Sequence, residues 1–183
     1  IDILHPAGKH TASNGTPQFR CTAHAKMTLF MNIEDHKTQV LIRPMEPADA
    51  EPVSLLAVQL GYQRPADAIR NWIEGLEANA DTQAAFVACV GVQVAGWVEV
   101  SIQSRLQSPR FALIGGLVVR EGLRGKGLGQ MLCERAERWS LERQVKIIRL
   151  TSRESRSEAH RFYLRTGYRL TKTSLAFEKN LTG

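Results

Sequence analysis

Hydrophobic and polar positions settle into regular periods only from about Gln39 onward. Residues 40–43 alternate as a short strand does, and Pro44, which has no N–H to donate, ends it. Glu46-Pro47-Ala48-Asp49 carries helix-start chemistry with Asp49 as a cap. Val53, Leu56, Ala57 and Leu60 then share one helical face until Gly61 stops the helix. A second helix is predicted over residues 65–78, where Ile69, Trp72, Ile73 and Leu76 recur at helical spacing. Residues 85–90 and 92–102 are rich in Val and aromatics around Gly91, which reads as a hairpin, and residues 111–119 form another apolar strand. A glycine-rich turn follows, then a helix to about Arg143 with Leu128, Met131, Leu132, Ala136 and Trp139 inward. Residues 146–151 read as a strand, 157–165 as a helix, and 168–170 and 175–179 as two closing strands.

That order predicts a mixed α/β domain. It has a mostly antiparallel sheet of about seven strands, about four helices on its faces, and one strand–helix–strand unit over residues 111–151. Residues 1–37 stand apart. They hold four of the five histidines (His5, His10, His24, His36) and no sustained period. A metal-binding or targeting segment is one reading of them. They lack the charged-then-apolar order of a secretory signal, and the expectation is a leader, disordered or non-native, ahead of one domain over residues 38–183.

Composition changes the picture in two ways. The chain has 183 residues, 43% of them hydrophobic, yet no apolar run approaches the roughly 18 residues of a membrane span. Cys21, Cys89 and Cys133 are odd in number without metal-ligand spacing, so they are expected as buried thiols of a cytoplasmic protein. The net charge of +6 divides unevenly: +1 over residues 1–37, −3 over 38–119 and +8 over 120–183. The C-terminal half is therefore expected to meet an anion and the middle section to accept a cation. Nucleic acid is not the expected anion, because the basic residues alternate with acids and apolar positions as on solvated helix faces.

The anion site is placed by Arg124-Gly125-Lys126-Gly127-Leu128-Gly129, between an apolar strand and an amphipathic helix. At such a junction unsatisfied backbone N–H groups lie at the positive end of the helix dipole, and a phosphate satisfies them. Glycines allow close approach, while Arg124 and Lys126 add charge. Gly122-Leu123-Arg124-Gly125-Lys126-Gly127 does not supply a Walker loop. Gly125, Gly127 and Gly129 have the wrong spacing for a dinucleotide fingerprint, and residues 146–151 contain no acid.

The strand end Leu117-Val118-Val119 with that turn resembles the acetyl-CoA signature of GNAT acetyltransferases. Ala159-His160-Arg161-Phe162-Tyr163-Leu164-Arg165-Thr166-Gly167-Tyr168 is similar to the family's downstream helix block. The resemblance spans about residues 38–181, and Arg156 and Phe177-Glu178-Lys179 bring it closer to aminoalkylphosphonate and other small-amine acetyltransferases. It implies a GNAT fold splayed between the strands at 111–119 and 146–151, with acetyl-CoA as co-substrate and no metal. Main-chain groups of Leu117, Val118 and Val119 would bond the pantetheine arm, and residues 124–129 the pyrophosphate. Tyr163 matches the family's general acid; a core aromatic beside Phe162 is its plainer reading. Many relatives carry a Glu on the strand before the turn, where this chain has Ile114-Gly115-Gly116. Glu99, on the preceding strand, is the substitute base, unless it is a surface carboxylate. His160 is expected to be structural. The paired glycines imply either a bulge or room for a bulky acceptor.

The expected activity is transfer of acetyl from acetyl-CoA to a primary amine of a small, cationic molecule or a peptide, with residues 47–78 as the acceptor lid. A non-catalytic acyl-CoA sensor is the alternative. No membrane partner is expected, and a homodimer is compatible with the resemblance.

Overall fold

The computed structural model describes residues 39–181. The expected leader and Cys21 lie outside them. Nine principal elements follow in order: β1 (Val40–Pro44), α1 (Ala50–Ala57), α2 (Ala66–Glu74), β2 (Gln83–Val90), β3 (Gln93–Arg105), β4 (Ser108–Val119), α3 (Leu128–Glu142), β5 (Ile148–Leu150) and α4 (Ser157–Arg165). The sheet runs β1-β2-β3-β4-β5, antiparallel except for the parallel β4–β5 pair.

The continuous apolar run of β2 has a simple cause, since both of its faces are covered. Phe86 and Ala88 point to α3, where Leu128, Met131, Leu132, Ala136 and Trp139 complete a core with Val98, Val100 and Ile114. Ala85, Val87 and Cys89 point the other way, against Val53 and Leu56 of α1, Ile69 and Ile73 of α2, and Trp97 and Val118. Alternation along one strand thus feeds two cores, and the sheet becomes the middle layer of three. Gly91, at φ +59°, makes the β2–β3 turn.

Two expectations are corrected. Asp49 does not cap α1 through its side chain. Its carboxylate takes both Nη atoms of Arg43, at 2.6 and 2.7 Å, and the Glu46 N–H at 2.8 Å, which locks the β1–α1 corner. The sheet has five strands among the described residues, not about seven: the stretches at 168–170 and 175–179 form no strand. Leu170, Leu175 and Phe177 are exposed, and the neighbouring edge, β5, is only three residues long. A strand pattern without a burying face and a pairing edge does not hold a strand.

Candidate active site

Between β4 and β5 the sheet opens. Pairing covers only Ala112, Leu113 and Ile114 of β4, opposite Ile148, Arg149 and Leu150. From Gly116 to Val119, β4 keeps its pairing with β3, while its other edge has no strand partner among the described residues. The opening begins at a register shift: Glu99 faces Gly116 and Val100 faces Ile114, so Gly115 is the extra residue of a bulge. Leu117 and Val119 turn their main-chain groups away from β3 and line a gap in the sheet, while Val118 pairs with Trp97 of β3.

The gap leads to the glycine-rich turn. Gly125 and Gly127 hold φ of +78° and +82°, left-handed values that L side chains rarely adopt, and a methyl group on either would meet only open space. Gly127 is the N-cap of α3, no side chain caps it, and the first turn of the helix holds no acid. The free N–H groups of this helix start therefore face outward at the positive end of its dipole. Arg124 and Lys126 are exposed beside it. These residues fit a pyrophosphate. Gly129 serves a different purpose, because a methyl group there would lie 3.2 Å from the Phe162 ring. The third glycine of the turn is thus where α4 packs onto α3, and it joins the two sequence blocks physically.

Tyr163 lies on α4 with its ring edge-on to Phe162, at 5.2 Å, and to Tyr168, at 5.7 Å. Burial and the neighbouring Cys133 push its hydroxyl up to about 12, while Arg156 opposes part of the rise, so the phenol stays protonated at neutral pH. The buried Cys133 thiol is also pushed up to about 12, chiefly by burial, and stays uncharged. Tyr168 spends its hydroxyl on Glu137, at 2.8 Å, so Tyr163 is the phenol of the pair without that tie. His160 contacts the Arg153 carbonyl through Nε2 at 3.0 Å, a structural bond at the start of α4.

Glu99 is half-buried and occupies the space the paired glycines leave open. A methyl group at Gly115 would overlap its carboxylate, and one at Gly116 would lie 2.6 Å from the Trp97 ring. The bulge and the room for side chains are one feature, and the room is filled by this chain's own Glu99 and Trp97. Burial raises the Glu99 carboxyl above the usual carboxylate range, and the Arg64 guanidinium draws it partly back. No hydrogen bond joins Glu99 to Tyr163 among the described residues. Their surroundings are linked instead by the segment between α1 and α2: the Arg64 charge acts on Glu99, and the Leu60 carbonyl accepts from Arg156 Nη2 at 2.8 Å. Gln59 reaches the turn, where its Oε1 accepts from the Glu121 N–H at 3.2 Å and Arg124 Nη2 at 3.3 Å. Residues 47–78 were expected as a lid, but Gln59 and Arg64 carry no signal in the sequence, since neither belongs to a periodic pattern or a motif.

Comparison with known proteins agrees with this arrangement. The family model of the GNAT acetyltransferases matches residues 51–168. Curated proteins give no significant sequence match. Among solved structures, the aminoglycoside N-acetyltransferase AAC(6')-Iy in complex with CoA superposes with a TM-score of 0.71 at 20% identity, over 80% of this chain and 99% of that one. A transcriptional regulator from Bacillus halodurans C-125 gives 0.67 at 24% identity, over 76% and 99%. AAC(6')-Ih from Acinetobacter baumannii gives 0.67 at 18% identity, over 78% and 99%. With the family model covering well over half of its length, and with the splayed sheet and uncapped turn in place, the chain belongs to the GNAT family of acetyl-CoA-dependent N-acetyltransferases.

Proposed function

We propose that this protein acetylates a primary amine of a small cationic molecule, with Glu99 as general base and Tyr163 as general acid. The observation that carries the reading is the half-buried Glu99 carboxylate, seated against Gly115 at the bulge where the sheet opens. Acetyl-CoA supplies the acetyl group already activated as a thioester, so no nucleophile of the protein is needed. Main-chain N–H groups of residues 124–129 hold the pyrophosphate, and the open edge at residues 117–119 aligns the pantetheine arm as an added strand, chiefly through Leu117 and the Val119 N–H. An N–H of that edge stabilises the oxygen of the thioester carbonyl as charge develops on it. Glu99 takes one proton from the acceptor ammonium, directly or through one water, and frees the lone pair that attacks the carbonyl carbon. Tyr163 gives its proton to the departing sulfur as the carbon–sulfur bond breaks, and the surplus proton on the new amide nitrogen restores the phenol.

The two proton jobs suit the two environments. Burial raises Glu99 toward a useful basicity and keeps Tyr163 protonated. A cationic acceptor is favoured by the −3 balance of residues 38–119, which include α1, α2 and Glu99. Several structural neighbours are named aminoglycoside N-acetyltransferases, which supports the same class of acceptor. The test is thiol release from acetyl-CoA across a panel of aminoglycosides, polyamines, neutral amines and lysine peptides. Turnover concentrated on small polycationic amines is expected. Tight acetyl-CoA binding with no turnover on any amine would instead favour an acyl-CoA sensor.

A further inference from the structure

The acceptor lid and the phosphate turn meet at one side chain. Gln59 lies on the 3-10 turn Val58–Leu60 that ends α1, and its Oε1 receives the Glu121 N–H and Arg124 Nη2 together. The Arg124 Nε donates to the Val119 carbonyl at 3.3 Å, so the guanidinium is held between the end of β4 and the lid with further N–H groups to spare. The rest of the lid is tied to the other working parts. Leu60 accepts from Arg156, the charge that acts on Tyr163. The Tyr62 ring lies under Arg153 at 5.9 Å, and Arg64, whose carbonyl accepts from Ser54 Oγ at 2.7 Å, is the charge that acts on Glu99.

We propose that Gln59 is a positioning residue that couples occupancy of the turn to the order of the acceptor lid at residues 58–64. The proposal rests on the reading of residues 124–129 as the pyrophosphate site. A phosphate there draws charge-assisted bonds from Arg124 and fixes its side chain. An immobilised Arg124 keeps Gln59 engaged, and the lid that carries Arg64 settles over Glu99. The link is reciprocal: a settled lid presents Glu121 and Arg124 already placed, and the phosphate binds more tightly. Gln59 is exposed and belongs to neither core, so removing it does not threaten the fold.

Hydrogen exchange read by mass spectrometry on the full chain, with and without CoA, tests this. In the wild type CoA slows exchange at residues 120–129 and at 58–64. Gln59→Ala keeps the melting temperature and the slowing at 120–129, loses the slowing at 58–64, and binds CoA about fivefold more weakly. Gln59→Glu retains an acceptor for both donors and restores the slowing at 58–64. Undiminished slowing at 58–64 in Gln59→Ala, or no response of the lid in the wild type, overturns the coupling. Absence of slowing at 120–129 in CoA-saturated wild type overturns the pyrophosphate reading beneath it, and so separates the two failures.

Discussion

The two sides of the site are made from different materials. On the proposed donor side, β4, the turn and the start of α3 offer main-chain groups, and their presentation depends on backbone conformation at Gly125 and Gly127. On the proposed acceptor side, β3 and the segment between α1 and α2 offer side chains, and with Glu99 as the proposed base the chemistry depends on what surrounds it. A site of main-chain donors tolerates varied side chains around it, provided the glycines stay. A site built on one half-buried carboxylate is sensitive to each neighbour that sets its charge. Donor-side changes should therefore alter binding of acetyl-CoA, and acceptor-side changes should alter turnover and its pH dependence.

That contrast breaks most sharply at Glu99. Glu99→Gln is expected to lower kcat by about 10²–10⁴-fold, as loss of a positioned base does, with acetyl-CoA affinity measured by calorimetry unchanged. The same variant should be more stable than the wild type near neutral pH. Because folding raises the Glu99 pKa, the folded state holds that proton more tightly, and ionising it costs stability once the pH exceeds the ordinary carboxylate range. Thermal melts should show the advantage of Glu99→Gln shrinking as the pH falls through the raised value toward that range.

Tyr163→Phe comes next, with kcat lower by about 10²-fold and little change in melting temperature. Its loss should be smallest with acyl donors whose leaving thiol is more acidic, because such a thiolate needs less help from a proton donor. On the donor side, Gly127→Ala places a side chain in a left-handed conformation at a cost of about 1–2 kcal/mol. When that cost falls on the bound form, acetyl-CoA binding by calorimetry should weaken about tenfold, with kcat at saturation nearly unchanged. The smallest effect is expected at Gly129→Ala. The gain in helix propensity, about 1 kcal/mol, offsets the push of the new methyl against Phe162 at 3.2 Å, and the melting temperature should move by only a few degrees.

The turn and the helix start after it were legible in the sequence because their determinants are local. Arg124 through Gly129 fix a turn whatever the rest of the chain does, and the Phe162 block marks the helix that packs on it. The acceptor side was legible only in outline. Glu99 stood out as the carboxylate on the preceding strand, and the paired glycines marked a bulge. That the bulge would seat this carboxylate against Gly115 depends on register across β3 and β4, which the local sequence does not spell. Gln59 and Arg64 acquire partners 35 to 65 residues away, through the way α1 docks on the sheet. The two closing strands show the opposite failure. Leu175 and Phe177 alternate as strand residues should, yet pattern specifies a strand only where a face and an edge receive it.

The division of labour is tested most directly by the pH dependence of kcat/KM for thiol release, compared between wild type and Glu99→Gln on one amine acceptor. The wild type should show an acid limb with a midpoint above the ordinary carboxylate range, and no loss from Tyr163 ionisation until about pH 12. In Glu99→Gln that acid limb should vanish together with most of the rate. An unchanged acid limb and rate in Glu99→Gln would contradict the assignment of the base, and with it the account of the acceptor side.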